Sequence, residues 1–382
     1  MGELFCEIIV ESSPKGNNRL CGDVTEKMRN NIGSVFILAD GLGSGLKAHL
    51  SAQFYLSHFM ELIRSGYSLR KSFSSLIHTI EKAKKGNNPV AFLSAVRILT
   101  DGLGVALLYD MPPVIIISGG KATVLNGITH SFYDTIVNEI SFSLKKDEGL
   151  LIFSDGITMS GIGRENPEGW HIDKIARYVN ELLCNGVKIE ELPGLILKES
   201  YRLWNYEPKD DLTAALIKCR RSKIVNMLTG APADKSSDEK VVKKFVNKKG
   251  LKIICGATTA KIAARVLGKE LYLDDNDEND ITPPGYYLDG IGLVTEGAVT
   301  LNQLYNIWGE DIGKLNINNP VTQLYAYLSI ADKINLFWGR AKSPAEGDIV
   351  FKQKGILDRD KIIPLLIEKF RSEDKIVCVE EY

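Results

Sequence analysis

Five short apolar runs, residues 91–99, 104–109, 114–118, 122–126 and 149–153, follow one another in this chain with Gly or Pro punctuating the intervals. Strands that succeed one another across tight turns pair antiparallel, because a parallel neighbour needs a crossover of a dozen residues or more. Two further runs of strand type, 4–10 and 35–39, come before them, and another, 212–219, closes the series. The helical signals are grouped between these runs. Residues 46–65 and 68–84 carry apolar side chains at three- and four-residue spacing; Gly66 ends the first, and Gly86 with Asn87, Asn88 and Pro89 ends the second. Helices are also expected over 171–184 and 189–204. Grouped helices and grouped strands predict an α+β fold with antiparallel sheets, not alternating βαβ units.

Near Arg220-Arg221-Ser222-Lys223 the texture changes. Strand and helix then alternate: a strand over 224–228, a loop with Pro232, a helix over 238–248, a strand over 251–255 and a helix over 259–267. The expected division is therefore 1–222 and 223–382, the second part a smaller α/β domain. The acidic stretch 274–280 lacks the central Gly and closing Glu of a calcium loop, and reads as a solvated loop.

The balance of 47 basic and 48 acidic residues gives no electrostatic reason to expect nucleic acid or an anionic membrane as partner. No apolar stretch is long enough to span a bilayer. Residues 1–10 lack the basic start and long apolar run of a signal peptide, so a cytoplasmic location is expected. The six cysteines are scattered, with no CxxC pair, and read as reduced, buried thiols. His49 and His58 share one expected helix at a spacing that is not a ligand spacing, and a zinc site is not expected.

Three aspartates share one local setting. Asp40 ends the run 35–39 and is followed by Gly41; Asp155 follows the run 149–153 and is followed by Gly156; Asp210 stands just before the run that starts at Leu212. A carboxylate at the end of a buried strand is held rigidly, and a neighbouring Gly permits close approach of a carbonyl or a metal. Asp-Gly is also an ordinary turn dipeptide. The repetition, with Asp23 as a fourth in Cys21-Gly22-Asp23, favours a site. Hard divalent cations take oxygen ligands. Two ions about 3.5–4 Å apart can share a carboxylate and a water whose pKa falls towards neutrality. Such chemistry needs no protein nucleophile, and the chain has no GxSxG elbow and no reactive-cysteine signature.

The segment Ala39-Asp40-Gly41-Leu42-Gly43-Ser44-Gly45 before a long helix, with Ser154-Asp155-Gly156 and Asp210-Asp211-Leu212-Thr213 downstream, resembles the type 2C metal-dependent protein phosphatases. More narrowly it is similar to their bacterial branch typified by the stage II sporulation protein E phosphatase. Gly22-Asp23 matches that branch's first acidic motif, and Tyr109 to Pro113 through Gly119-Gly120 its central strand pair. The resemblance covers roughly residues 1–220.

What it implies is a four-layer α/β/β/α sandwich of two antiparallel sheets flanked by helices, with two Mn²⁺ or Mg²⁺ ions at one end of the sheets. Asp40 would bridge both ions, and the Gly41 carbonyl would reach one through water. Asp23, Asp155 and Asp210 would complete the other ion's shell, so that Asp40, Asp155 and Asp210 carry catalysis. A hydroxide bridging the ions would attack the phosphorus of a phosphoserine or phosphothreonine. Asp211 would be a neighbour, not a ligand. The substrate-gripping arginine of larger relatives has no clear counterpart; Arg19 fits poorly. The resemblance further implies a phosphoprotein substrate, such as an anti-anti-sigma-like factor. A regulatory partner could act on the helices over 46–84, which could equally serve merely to cover the sheet.

In the C-terminal part, Gly256, Thr258 and Thr259 run from a strand into a helix and form a candidate anion site, since free N–H groups and the helix dipole both favour negative charge. Thr258 or Thr259 as an ordinary N-cap is the plainer account. Pro283-Pro284-Gly285, Gly290-Ile291-Gly292 and Thr295-Glu296-Gly297 form a second loop cluster that could face the same site. Three functions compete with the protein phosphatase. They are a hydrolase of small phosphoesters or nucleotides, a catalytically silent scaffold of the same fold, and a sensor whose C-terminal domain binds a nucleotide-like ligand. The presence of all four aspartates disfavours the scaffold.

Overall fold

The expected antiparallel strands form two sheets packed face to face. In chain order the elements are β1 (Leu4–Ser13), β2 (Asp23–Arg29), β3 (Gly33–Gly41), α1 (Gly45–Arg64), α2 (Leu69–Lys85), β4 (Ala91–Leu99), β5 (Leu103–Tyr109), β6 (Ile115–Ser118), β7 (Lys121–Val124), β8 (Ile128–Phe132), β9 (Thr135–Ser143), β10 (Gly149–Phe153), α3 (Asp155–Thr158), α4 (Ile172–Cys184), α5 (Leu192–Leu203) and β11 (Leu212–Arg221). One sheet has the order β1-β11-β10-β6-β7, the other β2-β3-β4-β5-β9-β8. Neighbours in both run antiparallel. This computed structural model describes residues 3–86, 88–133, 135–163, 167–273, 284–316, 318–342 and 355–382. The chain divides into two compact units, Met1–Arg221 and Ser222–Tyr382.

Successive side chains of a strand point to opposite faces, and the first unit uses both faces of each sheet. Along β3, Phe36 and Leu38 turn inward and meet Leu150, Ile152, Ala215 and Ile217 of the other sheet. Val35, Ile37 and Ala39 turn outward beneath Leu56, Phe59 and Met60 of α1 and Phe73 and Leu76 of α2. On the far side, Leu151, Phe153 and Leu216 are covered by Ile175 and Val179 of α4 and Ile196 of α5. The result is the four-layer α/β/β/α sandwich expected from the sequence.

Several local features differ from expectation. β2, β8 and β9 were not legible as strands. The expected helix over 189–204 is divided: a 3₁₀ turn, Ile189–Glu191, leads into α5, whose first turn holds Pro193. Proline suits that place because the first helical N–H groups have no intrahelical acceptor. All six thiols are free, but not all are buried. Cys6, Cys219 and Cys255 lie in cores, Cys21 and Cys378 are half-buried, and Cys184, on the last turn of α4, is exposed. Asn87 lies outside the described residues. Among the described residues no helix is long and apolar enough to cross a membrane.

The second unit consists of β12 (Ile224–Thr229), α6 (Asp238–Asn247), β13 (Leu251–Cys255), α7 (Ala257–Leu267), β14 (Leu271–Leu273), β15 (Gly285–Leu288), β16 (Leu293–Thr295), α8 (Ala298–Ile307), α9 (Pro320–Ser329), β17 (Lys333–Trp338), α10 (Arg359–Ser372) and β18 (Ile376–Glu381). They build one sheet of order β14-β15-β16-β13-β12-β17-β18. Its five strands from β16 to β18 are parallel, with α6 and α7 on one face and α8, α9 and α10 on the other. The acidic stretch 274–280 and Pro283 lie outside the described residues.

Candidate metal centre

The register of each sheet brings two aspartates to the same end of the sandwich. In one sheet Asp23, the first residue of β2, stands directly opposite Asp40 near the end of β3. In the other, Phe153 of β10 pairs with Ala214 of β11, so Asp155, just past β10, lies beside Asp210 and Asp211, just before β11. The Ser154 N–H donates to the Thr213 carbonyl at 3.0 Å, and the Ser154 hydroxyl accepts from the Thr213 N–H at 2.9 Å, which locks the two strand ends together. Asp40 shares the inward side of β3 with Phe36 and Leu38. The four carboxyl groups therefore meet where the core between the sheets opens.

Their electrostatics record the crowding. Burial, followed by the charges of Asp23 and Asp155, pushes the Asp40 carboxyl up to about 10, and in its acid form it hydrogen-bonds to Asp155. Burial raises Asp23 to about 7, against the pull of the nearby Ser154 and Thr213 hydroxyls. Ser154 Oγ accepts from the Thr213 N–H, and Thr213 Oγ1 donates to Ser12 Oγ at 2.9 Å. Both oxygens of Asp23, a residue only 6% exposed, lack a hydrogen-bond partner. A buried carboxylate in that state calls for a cation or a proton. Asp210 is also raised, by burial and by the charge of Asp155.

The donor set is made of carboxylate oxygens, the chemistry of hard ions such as Mg²⁺ and Mn²⁺, and the orphaned oxygens of Asp23 fit that use. As the side chains stand, no three Asp, Glu, His or Cys groups among the described residues are gathered closely enough to hold an ion. Unneutralised carboxylates repel one another, and tightening them needs the positive charge itself.

Of the two reasons expected for the glycines beside the aspartates, the close approach of a carbonyl is the one the structure shows. A Cβ on Gly41 would lie 2.0 Å from the Ala48 carbonyl oxygen of α1, and one on Gly156 would lie 2.0 Å from the Asp211 carbonyl oxygen. Glycine is required at both places by the approach of the protein's own backbone, which seats α1 and α3 against the strand ends.

Asp211, expected as a neighbour of the site, and Lys15, which the sequence did not single out, complete the mouth. Asp211, 4% exposed, accepts from the Lys15 backbone N–H at 2.8 Å, and the Gly16 N–H donates to the Pro208 carbonyl at 3.1 Å. These bonds fasten the β1–β2 connection beside the aspartates, where the Lys15 charge favours ionised Asp210. Nothing in the spacing of Pro14-Lys15-Gly16 announces that role. Arg19 is exposed on the same connection.

In the second unit the N-cap of α7 is Gly256, at φ 134°, with no side-chain cap. Thr258 and Thr259 lie inside the first turn, so neither is the N-cap expected of them; Thr259 is 4% exposed. The loop cluster splits. Gly285 pairs with Thr295, and the Gly256 N–H donates to the Thr295 carbonyl at 2.9 Å, so these residues share one end of the sheet with Gly297. The Gly292 N–H instead donates to the Lys252 carbonyl at 3.0 Å, which places Gly290 to Gly292 at the opposite end of β13.

Residues 32–220 match the family model of stage II sporulation protein E (SpoIIE). Among solved structures, the phosphatase domain of the cell fate determinant SpoIIE from Bacillus subtilis, in a crystal form without domain swapping, is 19% identical, covers 58% of this chain and 95% of its own, and gives a TM-score of 0.44. The same phosphatase domain with a fragment of its regulatory domain is 17% identical over 58% of this chain and 64% of its own, with a TM-score of 0.49. RsbX in complex with magnesium is 18% identical over 57% of this chain and 100% of its own, with a TM-score of 0.42. No curated protein matches the chain.

Proposed function

We infer that residues 1–222 of this chain are a protein serine/threonine phosphatase of the SpoIIE family, whose model its residues 32–220 match, acting on phosphoserine or phosphothreonine of a bacterial signalling protein. The observation that carries the reading is the meeting of Asp23 and Asp40 from one sheet with Asp155 and Asp210 from the other, Asp23 having two buried oxygens without a partner. Asp23, Asp40, Asp155 and Asp210, with the Gly41 carbonyl, would hold two Mn²⁺ or Mg²⁺ ions. Bound there, such ions supply an activated water and neutralise charge on the transferring phosphoryl group. Asp211 holds the β1–β2 connection in place, and Lys15 adds positive charge at the mouth that a phosphorylated side chain must enter.

Turnover of a phosphoserine peptide and of an aryl phosphate by the full chain tests this reading. Phosphate release is expected with Mn²⁺ and is expected to vanish in EDTA and return on re-addition. Absence of turnover together with absence of Mn²⁺ binding by calorimetry would overturn it in favour of a scaffold. Absence of turnover with Mn²⁺ bound would mean that an activating partner is required. A surface for such a partner exists on α1, where Leu46, Leu50 and Phe54, following Leu42, are each more than half exposed at four-residue spacing.

A second reading concerns residues 223–382, proposed as a separate module that binds a nucleotide-like ligand. Thr229 at the end of β12 and Thr300 in the first turn of α8 are fully buried, and their hydroxyls have no hydrogen-bond partner. Both belong to the carboxyl end of the parallel strands, where ligands of such sheets bind. ATP or ADP in EDTA is expected to raise the unfolding midpoint of the full chain, and Thr229→Val to remove the rise. No shift with either nucleotide would count against this module.

A further inference from the structure

A cation away from the metal centre lies half-buried in apolar surroundings, with no ion-pair partner among the described residues. Arg97 of β4 stands between Val35 of β3 and Val105 of β5, on the outer face that α1 and α2 cover over Leu93 and Ala95. Over Arg97 the cover gives way to two adjoining cavities that share Ser68, Arg97 and Leu99. The larger, of about 470 Å³, is walled by Leu69, Leu103, Val105, Leu107 and Phe142. The smaller, of about 290 Å³, runs beneath the turn that joins α1 to α2.

A guanidinium carries five N–H donors and no acceptor, and a charge taken partly out of water without a counter-ion costs free energy. Burial presses the pKa of Arg97 below the ordinary value. Among the described residues no carboxylate pairs with it. Glu139, which lines the larger cavity, is taken by Arg70 Nε at 3.1 Å, with His130 at 3.8 Å. The C-terminal end of α1 favours a cation by its dipole. Its carbonyls are spent, however: Glu61, Leu62 and Ile63 accept from the N–H groups of Ser65, Tyr67 and Gly66. The groove thus combines apolar walls with one unanswered positive charge, in a volume suited to a small molecule.

We propose that this groove is a binding site for a small amphipathic anion, a carboxylate on an extended apolar body. The carboxylate pairs with Arg97 in a two-pronged hydrogen bond, and the apolar body lies along Leu99, Leu103, Val105 and Leu107. The site is separate from the aspartates, and its occupancy stands or falls independently of the phosphatase reading.

Calorimetric titration of the full chain with decanoate, with decanol as the neutral control, tests the assignment below the micellar concentration of decanoate and the solubility limit of decanol. Saturable binding of one decanoate per chain is expected, about 10-fold or more tighter than decanol, the scale of a charged hydrogen-bonded pair. Arg97→Gln is expected to erase that preference. Leu103 is 55% exposed, so Leu103→Lys leaves the fold intact and is expected to weaken the binding of decanol. Unchanged melting temperatures of both variants establish that the fold is kept. Decanoate that fails to saturate, or binds Arg97→Gln as tightly as the parent, overturns the proposal. A groove that takes neither probe overturns it as well and leaves a protein segment as its occupant.

Discussion

Asp40→Asn is expected to lower Mn²⁺-dependent phosphate release by at least about 1000-fold while making the metal-free protein more resistant to heat. The two effects have one origin. Asp40 is the most perturbed of the carboxyl groups, pushed up to about 10 by burial and by the charges of Asp23 and Asp155. With its pKa near 10 the metal-free fold holds Asp40 in its acid form, so folding near neutral pH must take up a proton. An amide of nearly the same size needs none, so the metal-free fold gains. The same change removes the carboxylate assigned to both ions, so activity is lost. Phosphate release and thermal melting in EDTA, measured side by side, check both halves. Activity within tenfold of the parent would remove Asp40 from the centre. Lost activity with a lowered melting temperature would mean that the substitution had damaged the fold and not the site.

The second large effect is the response of the metal-free protein to pH. Asp23 is raised from an ordinary value of 3.8 to about 7, mainly by burial. A carboxyl group whose folded pKa is raised binds its proton more tightly in the folded state. Its contribution to stability is complete below the unfolded pKa and is lost as pH rises through the folded one. In EDTA, stability is therefore expected to decline between about pH 4 and pH 7 on account of Asp23. Asp40, raised to about 10, extends the decline towards higher pH. One such group accounts for up to about 1.4 kcal/mol per pH unit. For Asp23 the interval 7 − 3.8, about three units, sets a ceiling on the order of 4 kcal/mol, or roughly 8–16 °C in melting temperature for a unit of this size. Mn²⁺ or Mg²⁺ is expected to restore most of it at pH 8, and Asp23→Asn to flatten the profile. A metal-free melting temperature that rises from pH 5 to pH 8 would refute the electrostatic account of the centre.

What could be read from the sequence follows the strength of the local signal. α1 and α2 were legible because each carries a broad apolar stripe, and β4 and β10 because most residues of the first and all of the second are buried. β2 was missed because, as an edge strand, it alternates Val24 and Met28 with Thr25, Lys27 and Arg29 and is buried at one residue alone. β9 was missed for a similar reason, with Asn138 and Glu139 interrupting its apolar face. The aspartates were singled out by their setting at strand ends, but their meeting was legible only through the family resemblance and not from the residues themselves. It depends on the register of Asp23 against Asp40 and of Phe153 against Ala214, and registers are set by distant side chains competing for the same core. The Asp211 to Lys15 bond joins residues far apart in the chain and leaves no local trace.

The pairing of β1 with β11 has a consequence for how the protein is made. Ser13 lies opposite Leu212, so β1 waits through synthesis for the last strand of its own sheet. The separation, 212 − 13 = 199 residues, takes roughly 10–40 s to synthesise at ordinary elongation rates. Throughout that interval the apolar residues Ile8, Ile9 and Val10 have no native neighbour on β11, and the nascent chain depends on chaperones or on transient collapse to keep them from aggregating. Asp210 is among the final residues of the unit to appear. The proposed metal centre therefore needs the whole unit, and a fragment that ends before Asp210 lacks one of its four aspartates.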